Sequence, residues 1–136
     1  MKILNKFKVK KKFKNSVIAI GNFDGLHLGH QRVIDQARKK AKKNKTSFGL
    51  ISFEPIPSMF FNKNLKNHRI NILKQKKEQL KKLNLDFLKI IKFSKKFSNT
   101  SAEKFIEKII FNTFNAKYVF VSKNFRFGKK RLGNLK

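Results

Sequence analysis

His27 and His30 stand on either side of Leu28 and Gly29 in the segment Gly21–His30, GNFDGLHLGH. Two imidazoles beside a glycine at the start of a helix offer N–H donors to phosphate oxygens. The unpaired backbone N–H groups and the positive end of the helix dipole act in the same direction. Gly21, Gly25 and Gly29 supply the backbone freedom of a tight turn, and Gly29 lets a phosphate approach the helix closely. No Ser or Cys nucleophile stands beside the pair, so direct transfer between phosphates fits better than a covalent intermediate. Paired histidines are also metal ligands, but the chain has no cysteine and no HExxH pattern, which favours the phosphate reading over a metal site.

A turn of this kind needs a strand before it and a helix after it. Ser16–Ile20 (SVIAI) is a short apolar run ending at Gly21, a buried strand. From Leu28 to Asn44 the residues Val33, Ile34, Ala37 and Ala41 recur at helical spacing, with lysines on the other face. Ser47–Phe53 is a second strand, stopped by Pro55 and Pro57, and Asn71–Leu83 a Lys-rich helix with Asn71 as N-cap. Phe87–Ile91 (FLKII) is a third strand. Thr100 and Glu103 form a capping-box pattern ahead of the apolar stripe from Ala102 to Phe114, and Tyr118–Ser122 is a fourth strand. Strands alternating with helices predict an α/β fold with a parallel sheet and right-handed crossovers. In the order 3-2-1-4 the winding reverses between the first and fourth strands, where ligands bind beyond the carboxyl ends. The loops GNFDGLHLGH and SKNFRFGKKR then become neighbours, with Phe53–Pro57 close by.

The 136 residues carry a formal charge of +28 and fit one domain. Only five of the 35 basic residues are arginine (Arg32, Arg38, Arg69, Arg126 and Arg131). The lysines accompany many Asn, Ile and Phe, the set that A- and T-rich codons encode, so coding bias accounts for them. They are spread along the chain without an RNA-binding signature, and nucleic acid is not expected as a partner. No apolar run nears the ~20 residues of a membrane span, and the basic N-terminus has no apolar signal core. The zero cysteine count suits a reducing compartment, so a soluble, cytoplasmic protein is expected.

The full string GNFDGLHLGH is more specific than its HxGH kernel. It resembles the first signature of the prokaryotic FAD synthetases, within the HxGH nucleotidylyltransferase superfamily. SFEPIP at Ser52–Pro57 looks like that family's FEPHP segment, and NFRFG at Asn124–Gly128, followed by Arg131 and Gly133, looks like its DFRFG segment. SAEKFI at Ser101–Ile106 is similar to a family helix. The resemblance runs in order from about Ser16 to Gly133. It implies a Rossmann-like sheet of about four strands with flanking helices. It also implies FMN adenylyltransferase activity in FAD biosynthesis, with AMP passing from ATP to FMN in the presence of Mg²⁺. On this reading His27 and His30 are catalytic and contact ATP phosphates. Gly21, Asn22, Phe23, Asp24, Gly25 and Gly29 shape the ATP site, with Phe23 serving as packing. Pro55, Pro57, Phe61 and Phe127 line the FMN side, and Asn124 is the Mg²⁺ candidate. Glu54 and Arg126 are structural.

Departures accompany the match. Ile56 replaces a His of the family pattern, Ser122 a Gly, and Asn124 the commoner Asp, which keeps an oxygen ligand but drops a charge. The family continues past the point matching Lys136 with another strand and an ISSTxIR segment, and usually with a riboflavin kinase domain. The expectation is therefore a C-terminally incomplete adenylyltransferase domain over residues 1–136 that lacks its last strand. Tyr118–Ser122 is then left as an exposed edge, and riboflavin kinase activity comes from a missing domain or another chain. Three other readings stay open: a fragment that binds nucleotide or flavin without turnover, a basic nucleic-acid-binding module, and transfer to a different phosphate acceptor.

Overall fold

Apolar runs too short to span a helix but flanked by helical patterns pair edge to edge, the central ones burying both faces. In the computed structural model, which describes residues 2–4, 11–21, 23, 28–54, 69–92 and 94–121, they form one parallel sheet. Its strands are β1 (Lys2–Leu4), β2 (Val17–Ile20), β3 (Phe48–Glu54), β4 (Phe87–Lys92) and β5 (Tyr118–Phe120), in the order β1-β4-β3-β2-β5. The expected order 3-2-1-4 is thus found for the four strands read from sequence. A fifth, β1, adds to the outer edge of β4 with Leu4 opposite Lys89. At three residues, β1 is too short to show an alternation.

The helices are α1 (Leu28–Asn44), α2 (Arg69–Lys81), α3 (Lys95–Ser98) and α4 (Ala102–Phe105), the last running on as a π-helical segment, Ile106–Thr113. The bounds of α1 are those expected. Asn71 lies inside α2 and does not cap it. The cap of α4 is Ser101, not Thr100: its Oγ accepts the N–H of Lys104 at 3.2 Å. Thr100 stands one residue too early for its hydroxyl to meet the third N–H of this helix. The wide turns of the π-helical segment close on Thr113, whose Oγ1 donates to the carbonyl of Lys108 at 2.7 Å.

Alternation along the strands divides the interior into two layers. Val17, Ala19, Leu50 and Leu88 pack with Ile34, Ala37 and Ala41 of α1 and Leu80 of α2. Ile18, Ile20, Ile51, Phe87 and Ile91 pack with Phe105, Ile109 and Phe114 on the other side. α1 and α2 therefore share one face of the sheet, and Arg38 of α1 donates to the carbonyl of Leu83 just beyond α2 at 2.7 Å.

Gly49 sits in β3 between Ile18 and Phe87. The Phe87 ring lies where a side chain at Gly49 would project, and it stacks on Phe114 with centroids 5.3 Å apart. A methyl group there has no room without moving that ring pair. Gly49→Ala is expected to destabilise the fold by about 1–3 kcal/mol, seen as a lower urea midpoint at unchanged m-value. An unchanged midpoint would contradict this packing.

Candidate functional site

β2 is flanked by β3 on one side and β5 on the other, so the winding of the chain reverses at its β5 edge. Its residues are 0–3% exposed, and Gly21 continues the pairing by donating its N–H to the carbonyl of Ile51 at 3.1 Å. Seven residues on, Leu28 opens α1. The helix packs across β2, β3 and β5, and Lys40 stands 4.4 Å from the ring centre of Tyr118. Its N-terminal end therefore lies beside the carboxyl end of β2, where an open α/β sheet binds ligands. No acidic residue occupies its first turn, so nothing within that turn offsets the positive end of its dipole.

Four residues of the expected ATP side fall among the described ones. Gly21 ends β2, Gly29 and His30 belong to the first turn of α1, and Phe23 lies between them in the chain. Asn22, Asp24, Gly25 and His27 lie outside the described residues. So do Pro55, Ile56, Pro57 and Phe61 on the expected flavin side, and Ser122, Asn124, Arg126 and Phe127 after β5. The structure thus joins Gly21 to His30 across the turn, and the backbone of Glu54 extends β3 opposite Lys92. Among the described residues no group of three or more His, Cys, Asp or Glu could hold a metal ion.

Phe23 has a part in the turn that residue type alone does not reveal. It is 1% exposed and belongs to the apolar layer with Val17, Ala19 and Ile34, as its reading as a packing residue expected. Its φ is 49°, a left-handed conformation that costs a non-glycine residue about 1–3 kcal/mol. Its ring lies over Gly21, with Cζ 3.2 Å from where a β-carbon of Gly21 would be. It also meets the imidazole of His30 near edge-on, with centroids 5.5 Å apart and planes at 70°.

Lys89 also escapes a reading by residue type. It lies in one cross-strand row with Leu4, Ile51 and Ile20, on the sheet face away from α1, and is 3% exposed. The signal was present in FLKII, because a central strand of a parallel sheet is covered on both faces and its lysine must be buried with the rest. Burial disfavours the ammonium and pushes the Lys89 pKa below the ordinary lysine range.

Comparisons with known proteins identify the family and the fold. A family model described as FAD synthetase matches residues 9–136. The chain is 41% identical over 127 residues to the bifunctional riboflavin kinase/FMN adenylyltransferase of Buchnera aphidicola subsp. Schizaphis graminum, covering 93% of this chain and 41% of that protein. It is 35% identical over 117 residues to the protein of the same description from Haemophilus influenzae, covering 86% and 38%. For the one from Bacillus subtilis the figures are 31% over 129 residues, 94% and 40%. Among solved structures, a crystal structure described as a macrolide-efflux protein from Streptococcus pneumoniae superposes with a TM-score of 0.69. It is 25% identical, over 87% of this chain and 39% of that one. The chain spans about two fifths of the length of the curated relatives it matches.

The lowered Lys89 pKa carries a signed consequence. The unfolded chain holds this proton to higher pH than the folded one, so burial of the charge costs stability at neutral pH and the cost fades as pH rises towards the ordinary lysine range. The stability of the parent relative to Lys89→Met should therefore rise as the pH climbs from neutral towards the ordinary lysine range. Urea titrations of both proteins across that range measure it, and a pH-independent gap would refute the assignment.

Proposed function

The chain belongs to the FAD synthetase family, and on that premise we propose that it is the FMN adenylyltransferase part of such a synthetase, passing AMP from ATP to FMN. The observation that supports this reading is where the two ends of the GNFDGLHLGH segment lie. Its strand ends at the point where the sheet's winding reverses, and its helix begins there without an acidic residue in the first turn.

The reaction asks little covalent chemistry of the protein. The terminal phosphate of FMN is already anionic at neutral pH, so one of its oxygens attacks the α-phosphorus of ATP without a general base. The bond from that phosphorus to the bridging oxygen breaks, and pyrophosphate leaves as FAD forms. What must be supplied is alignment of two polyanions and compensation of the charge gathering on the α-phosphate and the leaving group. In this proposal α1 offers its N-terminal amides, and His27 and His30 donate to the phosphate oxygens. Asn22, Asp24 and Gly25 shape the turn about the nucleotide. Pro55, Pro57, Phe61 and Phe127 form flat apolar walls suited to an isoalloxazine ring. Mg²⁺ would ride mainly on the triphosphate, asking the chain for one or two ligands, and Asn124 is the residue proposed for that. The ion supplies charge compensation on the phosphates.

The relatives matched over this region are described as bifunctional, which supports the reading that riboflavin kinase activity is supplied by a further domain or by another chain. A cytoplasmic setting is proposed with the activity. No helix among the described residues is long and apolar enough to cross a membrane, and the efflux description of the superposed structure is not carried over. Because the chain spans only about two fifths of the matched relatives, a second reading is nucleotide binding without turnover.

Incubating the chain with FMN, ATP and Mg²⁺ and separating the flavins by chromatography tests the proposal. FAD should form, and His30→Ala should lower kcat/KM by about 10²- to 10³-fold. ATP binding with no FAD at any FMN concentration would assign this chain the binding role alone. FAD formation unchanged in His30→Ala would remove His30 from the mechanism.

A further inference from the structure

The ring of Phe23 touches both ends of the turn that it belongs to. On one side it covers Gly21, whose N–H ties the turn to the sheet through the carbonyl of Ile51. On the other it meets His30 in the first turn of α1. Between these contacts its own backbone is left-handed, although glycines stand at positions 21 and 25 of the same segment and would adopt that conformation freely. A phenylalanine held there has to be fixed by its side chain, and this side chain is shut into the apolar layer with Val17, Ala19 and Ile34. An imidazole has a broad, roughly two-fold torsion about its ring bond. Its plane is set by its contacts, the Phe23 ring among them.

We propose that Phe23 is a positioning residue for His30, its locked ring holding the imidazole at the angle from which it meets a phosphate bound at the start of α1. The proposal rests on reading the turn as the ATP phosphate site. The absence of a side chain at Gly21 is part of the same device, because it leaves the space in which the Phe23 ring lies.

The test follows the imidazole C–H signals by NMR alongside ATP binding by calorimetry. The chain has three histidines, His27, His30 and His68, and the His30 signals are identified by their loss in His30→Gln. Two variants separate the ring from the backbone. Phe23→Gly suits the left-handed conformation and removes the ring, while Phe23→Leu keeps apolar bulk in the layer and removes the aromatic ring current. In both, the His30 signals should move away from their ring-current-shifted positions. ATP should bind about two- to tenfold more weakly, the range expected for loss of one aromatic pair. His30 signals that stay in place in Phe23→Leu, or ATP affinity retained in Phe23→Gly, would overturn the proposal and leave Phe23 as a core residue in a turn. His30 signals that move as expected in a parent chain with no ATP affinity would support the positioning contact and remove the nucleotide reading instead.

Discussion

β2 has parallel partners on both edges and apolar layers on both faces, and the candidate site hangs from its carboxyl end. A strand of four residues could not hold a turn in place alone. Hydrogen bonds to β3 and β5 and the packing of α1 across all three strands make its end a rigid point. Right-handed crossovers then decide where the functional loops arrive: the chain winds outward through β3 and β4, returns beneath the sheet, and re-enters beside β2 as β5.

The turn after β2 shows how local strain is maintained. Gly21 gives up its side chain, Phe23 accepts a left-handed backbone, and the cost is offset by burying the Phe23 ring in the layer under α1. Strain of this kind persists where surrounding packing over-determines it. The same packing brings His30, in the first turn of α1, against the Phe23 ring that covers Gly21.

Charge takes on a pattern in three dimensions that it lacks along the chain. α1 carries six basic side chains against one acidic, and Lys74, Lys77 and Lys81 of α2 stand against Glu78. On the opposite face α3, α4 and the π-helical segment together carry four basic and two acidic residues. Among the described helices, the basic excess is therefore larger on the layer that contains α1. Its field draws polyanions towards that side of the sheet and is screened as salt rises.

The sequence by itself determined the α/β class, four of the five described strands, the extent of α1, the strand order 3-2-1-4 and the family. These follow from apolar periodicity, glycine and proline punctuation and ordered motifs, all local or short-range signals. The tertiary structure alone decided the rest. β1 exists because the open edge of β4 can pair three residues whose own pattern is too short to announce a strand. Ser101 caps α4 in place of Thr100 because the first N–H groups of that helix fall within reach of its hydroxyl. The burial of Lys89 follows from covering both faces of β4, and the left-handed backbone of Phe23 from its ring being trapped between Gly21 and His30. Each depends on a contact between segments distant in sequence or on a backbone torsion, and residue type carries neither.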